Sequence, residues 1–184
     1  MAKPGRFSLG CMSVSASPPP VIRPLLHADL PGVLDIQAAC YGEGFVEPVD
    51  AFANKLRQAP DTCWGVDHRG QLRAYLFCLP VTPHNLPALH ATAWQRPAEP
   101  GWLYLHDMAV HPEARALGLA SRLLDAARQQ AHALGCDAMV LVAVQGSVPY
   151  WARHGFSVVE AEGPLADKLR SFGDEACFMQ QNLR

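Results

Sequence analysis

The chain has 184 residues, 49% of them hydrophobic and 17% charged, and a net charge of −2. Those values suit one globular domain with a sizeable core and exclude a disordered chain or a generally basic nucleic-acid binder. No apolar run approaches the ~20 residues of a membrane span, so neither nucleic acid nor a membrane is an expected partner.

Residues 1–20 are small and polar and end in three prolines, the composition of a flexible tail. Their only charges, Lys3 and Arg6, leave −4 on the expected domain, residues 21–184. No apolar core follows those two cations, so the segment does not read as a signal peptide. A short strand is expected from Val21 to Leu26. Asp29 is then a candidate N-cap, with Pro31 in the first turn and Leu30, Val33, Leu34 and Ala38 along one helical face. A second helix is expected from Val49 to Ala59, with Val49, Phe52 and Leu56 inward. Strands over 62–66 and 71–81 flank a turn ending in Gly70.

From Thr82 to Gly101 the periodicity fails, and Pro83, Pro87, Pro97 and Pro100 punctuate a connection long enough to suggest a functional role. Trp102 to Val110 reads as a strand. Leu117 to Leu134 carries the clearest helical pattern, with Ala120, Leu124, Ala127, Ala131 and Leu134 on one face and Gly135 as its stop. Ala138 to Val144 is unbroken apolar, as in a strand covered on both faces. A short helix from Ser147 to His154 and strands over 157–161 and 176–183 complete a mixed α+β order around one sheet. The six cysteines form no CxxC pair. Cys40, Cys63, Cys78, Cys136 and Cys177 lie among apolar neighbours and read as buried thiols of a reducing cytoplasm.

The chemistry concentrates in Leu105 to Ala120. A strand ends at Val110, and a loop with Arg115 and Gly118 leads into the long helix. The first turn of a helix presents unpaired N–H groups and the positive end of its dipole. Gly118 and the small Ala120 leave room for a phosphate group there, and Arg115 adds a fork of donors. Physics alone therefore offers an anion site between strand and helix.

The same residues resemble a known family. Arg115-Ala116-Leu117-Gly118-Leu119-Ala120 matches the (Q/R)-x-x-G-x-(G/A) signature of the GNAT superfamily of N-acetyltransferases. Met108-Ala109-Val110-His111-Pro112 is similar to its "AV-x-P" strand end, and Tyr150-Trp151-Ala152-Arg153-His154-Gly155-Phe156 to its later aromatic-Gly-Phe motif. The resemblance runs from Val21 to Leu183. It implies an α+β fold with a mixed, mostly antiparallel sheet of about seven strands, flanked by helices and splayed at a central parallel pair. It implies acetyl-CoA as co-substrate, with no metal. Met108, Ala109 and Val110 would meet the pantetheine arm, and Arg115, Ala116, Leu117, Gly118, Leu119, Ala120 and Ser121 the diphosphate. The implied reaction is direct attack of an amine on the thioester through a tetrahedral intermediate. The implied partners are a small-molecule amine and, as in many relatives, a second copy in a homodimer.

The family often places a tyrosine acid four residues before the motif glycine, and here that position is Trp151. The adjacent Tyr150 is either the acid or an aromatic of the wall. Tyr104 and His106 share a strand face unless a bulge intervenes, and some relatives carry histidines at these two positions. His106 is either the general base or a lining residue; Asp107 is expected on the opposite face. His111 and His154 read as surface or capping residues, and Arg122, Arg128 and Arg153 as surface charges or partners of the CoA 3′-phosphate. Glu43, Glu47 and Asp50 form an acidic group that is either a solvated face or an attractor of a cationic amine. Two other functions stay open: protein or peptide N-acetylation, which needs an open groove, and a noncatalytic CoA-binding module.

Overall fold

The computed structural model describes residues 18–184, so most of the expected tail, with Lys3, Arg6 and Cys11, lies outside the described residues. Among the described residues seven strands form one sheet: β1 (Val21–Pro24), β2 (Cys63–His68), β3 (Gln71–Val81), β4 (Trp102–Val110), β5 (Ala138–Ala143), β6 (Ser157–Val158) and β7 (Cys177–Asn182). Their order across the sheet is β1-β2-β3-β4-β5-β7-β6. Every neighbouring pair is antiparallel except β4 and β5, which run parallel. Arg69 and Gly70 both take positive φ, 55° and 76°, the two-residue turn whose twist matches a hairpin.

The helices α1 (Leu30–Cys40) and α2 (Val49–Gln58) cover one face, packing Val33, Ile36, Phe52 and Leu56 against Tyr75 and Phe77. On the other face α3 (Leu119–Ala133) sets Leu123, Leu124 and Ala127 against Leu76, Leu103 and Met139. Side chains of alternate strand residues point to opposite faces, so β3 and β4 feed both cores. A third cluster joins Leu86 and Trp94 of the long connection to Leu79, Tyr104, Val140 and Phe178, with Leu165 and Leu169 alongside. Those two leucines belong to α5 (Pro164–Arg170), which follows α4 (Val148–Arg153). A helix of seven residues whose only large apolar pair is spaced i, i+4 leaves little periodic signal.

Several boundaries differ from the expected ones. On α1 the buried residues are Leu30, Val33, Ile36 and Gln37, and Ala38 is exposed. On α2 Val49 is exposed; the buried stripe is Ala51, Phe52, Asn54, Lys55 and Leu56, polar residues included. A 3₁₀ turn, Pro112–Leu117, precedes α3, and Gly118 at φ 66° separates the two.

Two irregularities in β4 position the site. Pairing with β5 runs from Trp102 opposite Ala138 to Leu105 opposite Leu141 and then stops, so the strands part. On the other edge β3 sets Phe77 against Asp107 but Cys78 against Leu105. His106 is thus the extra residue of a bulge. The extra residue reverses the alternation of the pleat. Leu105 and Met108 pack on the α3 face, while Tyr104 and Ala109 pack on the other.

Candidate active site

A cleft of about 600 Å³ opens where β4 and β5 part. One half is built from backbone. Ala109 stands opposite Tyr75, and the His111 N–H donates to the Arg73 carbonyl. Antiparallel alternation therefore turns the amide groups of Met108 and Val110 away from β3 and toward the gap. The Tyr41 hydroxyl lies 2.9 Å from the Met108 carbonyl, and the Cys40 thiol donates to that of Val110 at 3.3 Å.

Beyond the strand, no side chain among the described residues caps the N-terminus of α3. Its first-turn N–H groups and dipole end remain available to an anion. Gly118, Leu119, Ala120 and Ser121 line the cleft there, with Arg115 beside them. A Cβ on Gly118 would meet nothing within 4 Å, so this glycine answers to its left-handed backbone and the open space beside it. Met108, Ala109 and Val110 line the same cleft, whereas Ala116 and Leu117 lie on the exposed side of the 3₁₀ turn and do not.

The three arginines have different surroundings. Arg122 donates to the Pro20 carbonyl. Arg128 spans Asp125, Gln181 and the His154 carbonyl, an anchoring role. Arg153 is exposed at the end of α4. The His111 imidazole accepts from the Glu113 N–H at 3.4 Å and caps the 3₁₀ turn.

Side chains build the other half. Tyr104 is buried, and its ring meets that of His106 edge-on at 5.5 Å between centroids. Burial, with Glu47 and Asp107 nearby, pushes the Tyr104 phenol far up and keeps it neutral. Across the cleft the Tyr150 ring meets Trp151 edge-on and His154 at a tilt, with centroids 5.1 and 4.8 Å apart. Burial raises the Tyr150 phenol, Arg153 opposing, so it stays protonated at neutral pH. Trp151 is held edge-on to Phe156. Burial lowers His154, with Arg128 and Arg153 acting in the same direction.

Asp107 is not on the face opposite Tyr104. The bulge at His106 brings it to the α1 side, where Tyr75 donates to Oδ2 at 2.9 Å and the Tyr41 hydroxyl stands 2.8 Å from Oδ1. Burial lifts its carboxyl to about 6, while His106 and the two tyrosines pull it down.

Glu47 also departs from expectation. It is buried rather than part of a solvated acidic face. Its Oε2 lies 2.9 Å from Lys55 Nζ and 3.0 Å from His106 Nε2, and its Oε1 accepts from the His90 N–H at 2.9 Å. Gln37 clamps the Glu47 backbone, accepting from its N–H and donating to its carbonyl. Burial would raise this carboxyl, but His106 and Lys55 outweigh it and hold it at about 2. The sequence carried a faint signal of this network. Gln37 and Lys55 each sit on the apolar stripe of an amphipathic helix, where a polar group requires a buried partner.

The long connection docks on the same network. Lys55 donates to the Ala91 carbonyl, Asn54 accepts from the Trp94 N–H at 2.9 Å, and Leu89 reaches the cleft.

Solved structures share this architecture. Ard1 from Thermoplasma volcanium is 14% identical with a TM-score of 0.70, over 90% of this chain and 98% of that one. The ribosomal-protein-S18-alanine N-acetyltransferase of Escherichia coli is 16% identical with a TM-score of 0.63, over 89% and 94%. The PaiA N-acetyltransferase of Thermoplasma acidophilum, solved in complex with coenzyme A, is 16% identical with a TM-score of 0.61, over 89% and 98%. No curated protein matches the sequence. The profile of the acetyltransferase (GNAT) family matches residues 30–156. That match covers more than half of the chain, both strands of the cleft and the helix end between them, and the chain belongs to the acetyltransferase (GNAT) family.

Proposed function

We propose that the protein moves the acetyl group of acetyl-CoA to a primary amine of a small molecule. The observation that carries this reading is one cleft that joins an uncapped helix N-terminus to a buried imidazole at the parting of β4 and β5. The cleft suits the CoA ester. The N–H groups of Leu119, Ala120 and Ser121 and the Arg115 guanidinium receive the diphosphate, and Met108 and Val110 offer backbone groups to the pantetheine arm. An N–H group of the parted β4 edge polarises the thioester carbonyl. The PaiA structure with coenzyme A supports this assignment.

When bound, the co-substrate supplies an activated acetyl carbonyl; its C–S bond breaks as the amine forms the C–N bond. His106 takes the proton that the amine sheds. Tyr150, neutral and across the cleft, hands a proton to the departing thiolate. Tyr104 forms the floor beside His106. The docked connection supports a small acceptor, because its Leu89 lines the same cleft as His106. The five described cysteines are free thiols, which suits a reducing cytoplasm.

A thiol-release assay with acetyl-CoA, run over small amines and over peptides with free N-termini, tests the reading. Release with small amines and not with peptides is expected. Release with peptides alone overturns the small-molecule assignment, and release with neither favours a noncatalytic CoA-binding module.

A further inference from the structure

The Glu47 carboxylate meets a cation and an imidazole on one oxygen, and both partners are buried. Lys55 is 0% exposed, Glu47 3% and the His106 side chain 2%. An ionised carboxylate only accepts hydrogen bonds, so the Nε2 at 3.0 Å must carry the proton. His106 Nδ1 is buried and has no hydrogen-bond partner among the described residues, although His106 lines the cleft. A carboxylate alone beside a histidine favours the imidazolium, which cannot accept a proton. Lys55 cancels that charge at 2.9 Å.

We propose that Glu47 and Lys55 are a charge-neutral positioning pair that holds His106 as the Nε2–H tautomer, which leaves Nδ1 as the ring nitrogen with a free lone pair. This rests on the reading of His106 as the base. Glu47 fixes the ring and its tautomer, and Lys55 holds the Glu47 carboxylate in place and offsets its charge. The connection of residues 82–101 completes the pair through the His90 N–H on Glu47 Oε1 and the Ala91 carbonyl on Lys55 Nζ. Base orientation and closure over the acceptor side thus share two side chains. The other ionisable groups around His106 are Asp107 and Tyr104 on β4, Tyr41 after α1, Tyr75 on β3, and Tyr150 and His154 across the cleft.

The test uses the full chain with nitrogen-15 labelled histidine, the His106 resonances being assigned by difference with His106→Ala. Long-range proton–nitrogen spectra are expected to show a single Nε2–H tautomer for His106 in the wild type. The double variant Glu47→Gln/Lys55→Met, which keeps the site neutral, is expected to show mixed tautomers. The single variant Lys55→Met is expected to move the rising limb of the kcat/KM pH profile up by at least one pH unit. Its turnover at pH 7 should fall about tenfold and recover at higher pH, with KM for acetyl-CoA unchanged within twofold. An Nδ1–H tautomer in the wild type overturns the proposal, as does a pH profile unmoved in folded Lys55→Met. Normal turnover by His106→Ala with the wild-type Nε2–H pattern intact would instead remove the base reading and leave only the tautomer that Glu47 fixes.

Discussion

The two halves of the cleft are made of different material. The half assigned to CoA is backbone: an uncapped helix end, an αL glycine and the free edge of a parted strand. The half assigned to the acceptor is side chains: Gln37, Glu47, Lys55, His106 and the Asp107–tyrosine cluster, drawn from α1, α2, β3, β4 and the loops between them. A backbone site serves any ligand with a diphosphate and tolerates change in most of its side chains. A side-chain network selects, and depends on each member. The same fold can therefore keep one co-substrate and vary its acceptor.

The largest expected effect separates the halves cleanly. Gly118→Trp places a bulky side chain at a φ of 66° beside the α3 N-terminus. Calorimetry should show acetyl-CoA affinity reduced at least a hundredfold, while thermal melting shows the acceptor half still folded. His106→Ala should act in reverse: turnover falls at least tenfold and acetyl-CoA affinity stays within twofold, as read by steady-state kinetics and calorimetry.

A third prediction concerns Asp107, whose carboxyl is raised from 3.8 to about 6, chiefly by burial. A carboxyl with a raised folded value holds its proton more tightly in the native state, so its contribution to stability falls as pH rises from about 4 to about 6. Asp107→Asn removes that loss. Relative to wild type, the variant should gain on the order of 2 kcal/mol between pH 4 and pH 6.5 in denaturant titrations. The smallest effect belongs to the loop anchor. Asn54→Ala strips the Trp94 N–H of its buried acceptor and should cost about 1 kcal/mol, with faster amide exchange over residues 82–101 than over α3.

The contrast between halves also explains what the sequence disclosed. Arg115 to Ser121 is contiguous, so the helix end, its glycine and its motif could be read along the chain. The sheet's mixed, mostly antiparallel make-up and its splay followed from the resemblance those motifs carry. Glu47 and Lys55 were obscure for a physical reason. Their partners lie 59 and 8 residues away, and only tertiary contact turns an acid of the loop into a buried charge. Asp107 was placed on the opposite face because a bulge leaves no local mark; one extra residue in β4 reverses the pleat without altering its composition. The true inward stripe of α2 was hidden by Asn54 and Lys55, polar residues whose burial is satisfied by Trp94, Ala91 and Glu47.

The central claim is direct transfer of acetyl from acetyl-CoA to an amine within this cleft. Mass spectrometry after incubation with acetyl-deuterated acetyl-CoA and a small primary amine tests it most directly. The labelled acetyl is expected on the amine nitrogen, with no mass added to the protein at any time. Label accumulating on the protein, or recovered only as free acetate while the amine stays unmodified, would contradict it.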